Sequence, residues 1–262
     1  MRRITPKIKR CSPEIPNIWA VYRGPYRESI GALLLVATGI LYACQPVKTT
    51  PQPQEDATGQ PSKLNVYQIV TGDDPEEDRS RWDALFQTPQ YVYGKDPAPF
   101  LRDHVEMLPV GRALDIAMGE GRNAVFLAKK GFSVLGVDIS EVAMRKAKLL
   151  ARENQVTIQT INADLNQYQI APDSYDVIVN INYLQRSLIP QIKKGLKRGG
   201  IVVYENATVD QLKNNSGKNM RRDHLLNRGE LRELFRDLEI LVYRETNDGE
   251  NAVADLIARR IK

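Results

Sequence analysis

Arg112-Ala-Leu-Asp-Ile-Ala-Met-Gly-Glu-Gly-Arg-Asn123 is the stretch that decides how the rest of the chain is read. A short apolar run (Ala113, Leu114, Ile116, Ala117) carries one acid, Asp115, and ends in a loop of small residues through Gly121. A helical pattern follows at once, with Ala124, Val125, Leu127 and Ala128 on one side. Strand, tight glycine turn and helix form the first unit of a nucleotide-binding α/β fold. The glycines let backbone N–H groups come close to a ligand at the helix N-terminus. A second apolar run, Ser133-Val-Leu-Gly-Val-Asp138, closes on an acid 17 residues past Gly121, where a carboxylate should meet a ribose diol.

Two cofactor classes share this grammar, and charge separates them. Gly119, Gly121 and Ala124 satisfy the dinucleotide pattern G-x-G-x-x-G/A. A pyrophosphate, however, needs a loop free of negative charge. Here Asp115 sits in the strand and Glu120 in the loop, and a cationic ligand tolerates both far better. A third strand ends in Ile161-Asn162-Ala163-Asp164, and Leu196-Lys-Arg-Gly-Gly200 precedes another. On these residues the chain resembles the class I S-adenosylmethionine-dependent methyltransferases, closest to the tellurite-resistance and thiopurine-type branch. The usual pattern there is Leu-Asp-x-Gly-x-Gly-x-Gly-Arg-Asn. This chain departs from it with Ala117 in place of the first glycine, a change that requires Ala117 to avoid a positive φ.

The resemblance implies S-adenosylmethionine as cofactor and assigns its contacts. Asp115, Ala117, Gly119, Gly121 and Asn123 lie along the loop, Asp138 and Ile139 at the ribose, Ala163 and Asp164 at the adenine amine, and Asn180 at the end of a later strand. Similar methyltransferases carry a Tyr-Gly-x-x-Pro-x-x-Phe-Leu segment over the cofactor pocket, matched here by Tyr93, Gly94, Pro97, Phe100 and Leu101. Simple packing of Tyr91 and Tyr93 between a lead helix and the sheet is the competing reading.

The remaining pattern fills out the fold. An acidic cluster, 73–78, reads as a solvated lead-in to a helix over 79–87. Ser140 caps a helix through Asn154, with Val142, Met144, Ala147, Leu150 and Ala151 as its apolar stripe. Residues 156–161 alternate as a strand. Tyr175-Asp-Val-Ile-Val-Asn180 has the continuous apolar character of a strand in mid-sheet. Ligands bind at the C-terminal ends of such strands, where the chain reads Asn180-Ile-Asn-Tyr-Leu-Gln-Arg186. Asn182, Tyr183 and Arg186, with Tyr93, are the candidates for the acceptor site, although Arg186 equally suits a surface charge at a helix start. DNA amino methyltransferases carry prolines here that this chain lacks.

Gly199-Gly200 turns into a strand over 201–205, with Glu205 and Asn206 at its ligand end. Residues 210–223 read as a mobile polar loop covering the site. Arg221, Arg222 and His224 would steer an anionic substrate from it, with a solvated loop as the alternative. Asn227 and Glu230 make a capping-box-like start for a helix to Phe235. Residues 238–244 and 252–261 form a closing antiparallel pair around the Asp248-Gly249 hairpin signal. The expected fold is α/β: a Rossmann-like, doubly wound, mostly parallel seven-stranded sheet with an antiparallel closing strand and helices on both faces, over 78–262.

Composition limits the partners. The 262 residues carry 37 basic and 32 acidic side chains, and seven and two of these lie in residues 1–43. The rest is balanced, with 30 of each, so the domain has no global field for nucleic acid. Both cysteines, Cys11 and Cys44, lie in the N-terminal region, and two histidines, His104 and His224, are too few to suggest a metal site. Ile30 to Ala43 is uncharged over 14 residues and follows Arg23 and Arg27. That is short for a membrane span of about 20 residues but suits a signal-peptide core. Leu41-Tyr42-Ala43-Cys44 resembles a bacterial lipoprotein box, which implies lipidation at Cys44, and a Pro/Gln-rich and acidic linker follows over 44–77. Membrane association through this leader is expected; with an over-extended gene start, the domain is cytoplasmic.

The function expected is methyl transfer from S-adenosylmethionine to a small-molecule acceptor such as a sulfur, selenium, tellurium or nitrogen nucleophile, with no obvious general base. The alternatives are a membrane-tethered, non-catalytic binding domain of the same fold, and a NAD(P)-binding oxidoreductase.

Overall fold

The computed structural model describes residues 74–218 and 220–261. The expected leader, the expected lipidation at Cys44 and most of the expected linker lie outside them. Among the described residues, no helix is long and apolar enough to cross a membrane.

Seven strands form one sheet in the order β3-β2-β1-β4-β5-β7-β6. They are β1 Arg112–Ile116, β2 Ser133–Asp138, β3 Gln159–Asn162, β4 Tyr175–Ile181, β5 Leu196–Ala207, β6 Glu239–Asn247 and β7 Ala252–Arg259. The first five are parallel, and β7 runs antiparallel to both β5 and β6. The expected mostly parallel sheet with an antiparallel closing strand is therefore the observed one. The chain turns outward in both directions from β1 and β4, and the C-terminal ends of these two strands mark the crevice in which open α/β sheets bind ligands.

Burial on both faces makes the central strands apolar throughout. Leu114, Ile116, Ile178, Val202 and Tyr204 pack on one face with Ile192 and Phe235. Ala113, Val134, Val177, Val179 and Val203 pack on the other with Phe100, Leu127 and Ala147. The flanking helices are α1 Pro75–Phe86, α2 Pro99–His104, α3 Arg122–Lys129, α4 Glu141–Glu153, α5 Ile189–Gly195 and α6 Glu230–Leu234. Ser140 caps α4 as its sequence foretells, accepting the N–H of Ala143 at 3.0 Å.

Several elements depart from the sequence reading. Helix α1 begins at Pro75, so the acidic cluster is its first turn; Asp74 caps it, and Asp78 is buried rather than solvated. Strand β3 is shorter than expected, and β5 starts five residues earlier because Leu196 already pairs with Tyr175. Helix α6 starts behind Gly229, whose φ of 74° forms the cap. Glu230 nevertheless reaches back to accept the N–H of Asn227 at 2.7 Å, which is half of the expected capping box. Within 209–224 the chain forms three short 3-10 turns, and Met220 and Leu225 pack against Ala207.

Candidate active site

A cavity of about 680 Å³ opens at the C-terminal ends of β1, β2 and β4. The glycine loop forms its floor. Contrary to the sequence expectation, Ala117 holds a φ of +52°. This left-handed conformation is costly for any residue with a Cβ, and here the flanking strand and turn enforce it. Gly119 also has a positive φ, and its N–H donates to Asp138 Oδ2 at 2.7 Å. Gly121 is absent from the cavity wall. Its φ is +81°, and a Cβ there would come within 2.6 Å of that of Ala147, so its role is the close approach of α3 to α4.

Of the residues assigned to the cofactor by sequence, Ala117, Gly119, Asn123, Asp138, Ile139 and Asp164 line the cavity. Asp138 ends β2 and accepts two backbone N–H groups, from Gly119 and from Ser140 at 2.8 Å. Burial pushes its carboxyl up to about 6, against the pull of those two donors. Asp164 accepts the Asn166 N–H at 2.8 Å with Oδ1, while its buried Oδ2 has no partner among the described residues. Asn123 lines the wall, but its amide oxygen is already engaged by the Ala98 N–H at 2.9 Å, which ties the 91–101 segment to α3.

The geometry gives the others different surroundings. Asp115 and Asn180 are buried behind the wall. Asp115 is pushed up to about 7 by burial, opposed by the Arg122 guanidinium. Neither amide atom of Asn180 has a partner among the described residues. Ala163 also lies behind the wall, its N–H donated to the Asp138 carbonyl at 3.0 Å. Glu120 lines the cavity, yet it does not present a lone charge, because it is ion-paired with Lys146.

Of the residues expected at the acceptor site, Tyr93, Asn182 and Tyr183 line the cavity. Arg186 does not. It forms a two-pronged ion pair with Glu230, at 2.5 and 3.0 Å, and donates to the carbonyls of Asp223 and Leu225 at 2.8 and 2.9 Å. It therefore fastens the 223–225 segment to the end of the sheet. Sequence reasoning missed Asp78, Trp82 and Phe86, which α1 presents to the cavity. Their helical spacing was visible, but nothing in it says which face of a leading helix closes a site. Among the described residues there is no cluster of side chains able to hold a metal.

The comparisons with known proteins agree with this architecture. Residues 113–200 match the family model described as a methyltransferase domain. A putative methyltransferase of Geobacillus is 29% identical over 133 residues, covering 47% of this chain and 49% of the relative. A probable S-adenosyl-L-methionine-dependent methyltransferase, TehB of Haemophilus influenzae, is 27% identical over 164 residues, covering 61% of this chain and 57% of the relative. The chain thus spans about half the length of these curated relatives. The crystal structure of Haemophilus TehB superposes with a TM-score of 0.53 at 20% identity, over 70% of this chain and 66% of that one. Magnesium protoporphyrin IX methyltransferase from Synechocystis, solved with bound S-adenosylmethionine, gives 0.53 at 18%, over 73% and 99%. Residues 113–200 thus match a methyltransferase domain, and the sheet has the fold of these solved methyltransferases.

S-adenosylmethionine is the cofactor of this class, and the residues present fit it. The partnerless Oδ2 of Asp164 matches an amine donor, Asp138 keeps lone pairs for hydroxyl donors, and buried carboxylates favour a ligand that carries positive charge.

Proposed function

We propose that this chain transfers a methyl group from S-adenosylmethionine to a small-molecule acceptor. The observation that carries this reading is the partnerless Asp164 oxygen, set in one cavity with Asp138 and the loop 117–120. Bound S-adenosylmethionine supplies an electrophilic methyl group on a sulfonium. The protein's own work is placement. Asp138 and Asp164 fix the two ends of an adenosine, the loop amides set its depth, and α1 with Arg221, Asp223 and His224 walls the space over the reacting atoms. Holding two reactants at attack distance removes much of the entropic barrier to displacement.

A thermal-shift titration with S-adenosylhomocysteine tests the reading. A ligand at 100 times its dissociation constant stabilises by about 2.7 kcal/mol, and Asp164→Ala should cut the shift sharply. No shift in the native protein refutes it.

The lipoprotein-like ending Leu41-Tyr42-Ala43-Cys44 supports a second reading, in which the domain is tethered at a membrane. Cys44→Ala should then move the protein from the membrane fraction to the soluble one.

A further inference from the structure

We propose that Asp83 and Lys146 are positioning residues of the methyl transfer, a pair that holds α1 in register over the bound cofactor. This rests on the methyltransferase reading above and adds to it what keeps the cofactor in place.

Helices α1 and α4 cap each other. A helix start leaves N–H groups without intrahelical partners, and a helix end leaves carbonyls in the same position. Asp83, on α1, accepts the Val142 N–H at 3.1 Å and the Ser140 hydroxyl at 2.5 Å, both through Oδ1. Lys146, on α4, donates back to the carbonyls of Phe86, Thr88 and Gln90, at 3.3, 3.0 and 2.6 Å, where α1 ends. The acid thus sits at the start of one helix and the cation past the end of the other, the arrangement that both helix dipoles favour.

Each cap is joined to the cavity floor. Ser140, which donates its hydroxyl to Asp83, gives its N–H to Asp138 Oδ1 at 2.8 Å. Lys146 is ion-paired with Glu120 in the glycine loop, and Glu120 also accepts the Tyr93 N–H at 3.4 Å. The Lys146 and Glu120 side chains are only 14% and 2% exposed. Withdrawing an ammonium from water is costly, and four acceptors around its three N–H donors offset that cost. Arg79, one turn before Asp83, adds a bond to Asn162 Oδ1 at 2.9 Å, and Asn162 in turn donates to the carbonyls of Asp138 and Ile139.

What these bonds hold is a wall. Helix α1 turns Asp78, Trp82 and Phe86, spaced four residues apart, toward the cavity. The Trp82 and Phe86 rings stack with centroids 5.9 Å apart, and Phe86 stands over Gly119, where an added Cβ would meet it at 3.6 Å. Of the apolar side chains of α1, only Leu85 and Phe86 are buried, so apolar contact alone is a thin hold on this helix. The reciprocal caps supply the rest. A bound ligand leaves when they break and α1 parts from the two loops.

The test measures association and release of S-adenosylhomocysteine by surface plasmon resonance, on the full chain carrying Asp83→Ala, Asp83→Asn or Lys146→Met. Asp83→Ala and Lys146→Met should each release the ligand about tenfold faster or more, with association within about threefold of native. Asp83→Asn keeps the one oxygen that accepts both bonds, so its release should stay within about threefold of native. A role confined to stability would lower the melting temperature and leave these rates alone. A native release rate in either Asp83→Ala or Lys146→Met overturns the proposal, as does equal acceleration in Asp83→Asn. Should one of the two fail to fold, the other decides; failure of both makes the pair part of the fold and overturns the proposal as well. A native protein that binds no S-adenosylhomocysteine defeats the methyltransferase reading itself.

Discussion

The Gly119 N–H donates to Asp138 Oδ2 at 2.7 Å, which ties the turn after β1 to the acid that ends β2. The other oxygen takes the Ser140 N–H at 2.8 Å, so one carboxylate holds both loops of the cavity floor. Asp138→Asn leaves a single acceptor oxygen and turns an NH₂ group toward one of the two N–H donors. The expected cost is about 1–3 kcal/mol of stability, read from denaturant unfolding. Asp138→Ala should weaken S-adenosylhomocysteine by about 100-fold or more, the equivalent of ~2.7 kcal/mol, and unchanged affinity would show that the ribose contact lies elsewhere.

Ala117 carries a Cβ at a φ of +52°. Ala117→Gly should relieve that strain and raise stability by about 1 kcal/mol, net of glycine's greater freedom in the unfolded chain. An increase of ~2–4 °C in the melting temperature is the expected reading; a decrease would mean that the alanine methyl packs more usefully than its conformation costs.

Buried acids set the pH dependence of the ligand-free protein. Asp115 and Asp138 rise from 3.8 to about 7 and about 6, chiefly through burial, and burial with the neighbouring Asp255 also raises Glu205. Each binds its proton more tightly folded than unfolded. The stability they contribute is therefore complete below the unfolded value of 3.8 or 4.5 and is lost as the pH climbs toward 7. His224 acts in the opposite sense, since its lowered pKa adds stability as the pH rises toward 6.5. Three groups against one give a net decline between roughly pH 4.5 and 7. Asp115→Asn should match the native protein at pH 4 and melt higher than it at pH 8. Parallel melting curves at both pH values would contradict the burial of this charge.

Arg186→Ala removes the clamp on residues 223–225. Amide hydrogen exchange across 221–226 should accelerate by about tenfold or more, the equivalent of ~1.4 kcal/mol of local opening. S-adenosylhomocysteine affinity should stay within about twofold. Unaltered exchange would show that the apolar contact of Leu225 with Ala207 alone holds the turn.

The sheet was legible because its strands are buried on both faces and so write continuous apolar runs, as Tyr175–Ile181 does, while the hairpin announces itself through Asp248-Gly249. That Asp138 and Asp164 line the cavity was legible for a related reason: both are acids at the ends of strands that follow a glycine turn. The surroundings of Arg186 were not. Whether Arg186 faces a substrate or a carboxylate depends on Glu230, 44 residues away, and no local spacing encodes that pairing. The solvated look of the cluster around Asp78 concealed a helix that turns one acid inward. Ala117 misled because a glycine-to-alanine change suggests an ordinary φ, whereas the turn imposes its geometry on whichever residue occupies it.

Calorimetric titration of the purified 262-residue chain with S-adenosylhomocysteine and, separately, with NAD is the most direct test. Micromolar binding of S-adenosylhomocysteine with no heat from NAD is the result expected of a cavity walled by Asp138 and Asp164. Binding of NAD without S-adenosylhomocysteine would contradict it.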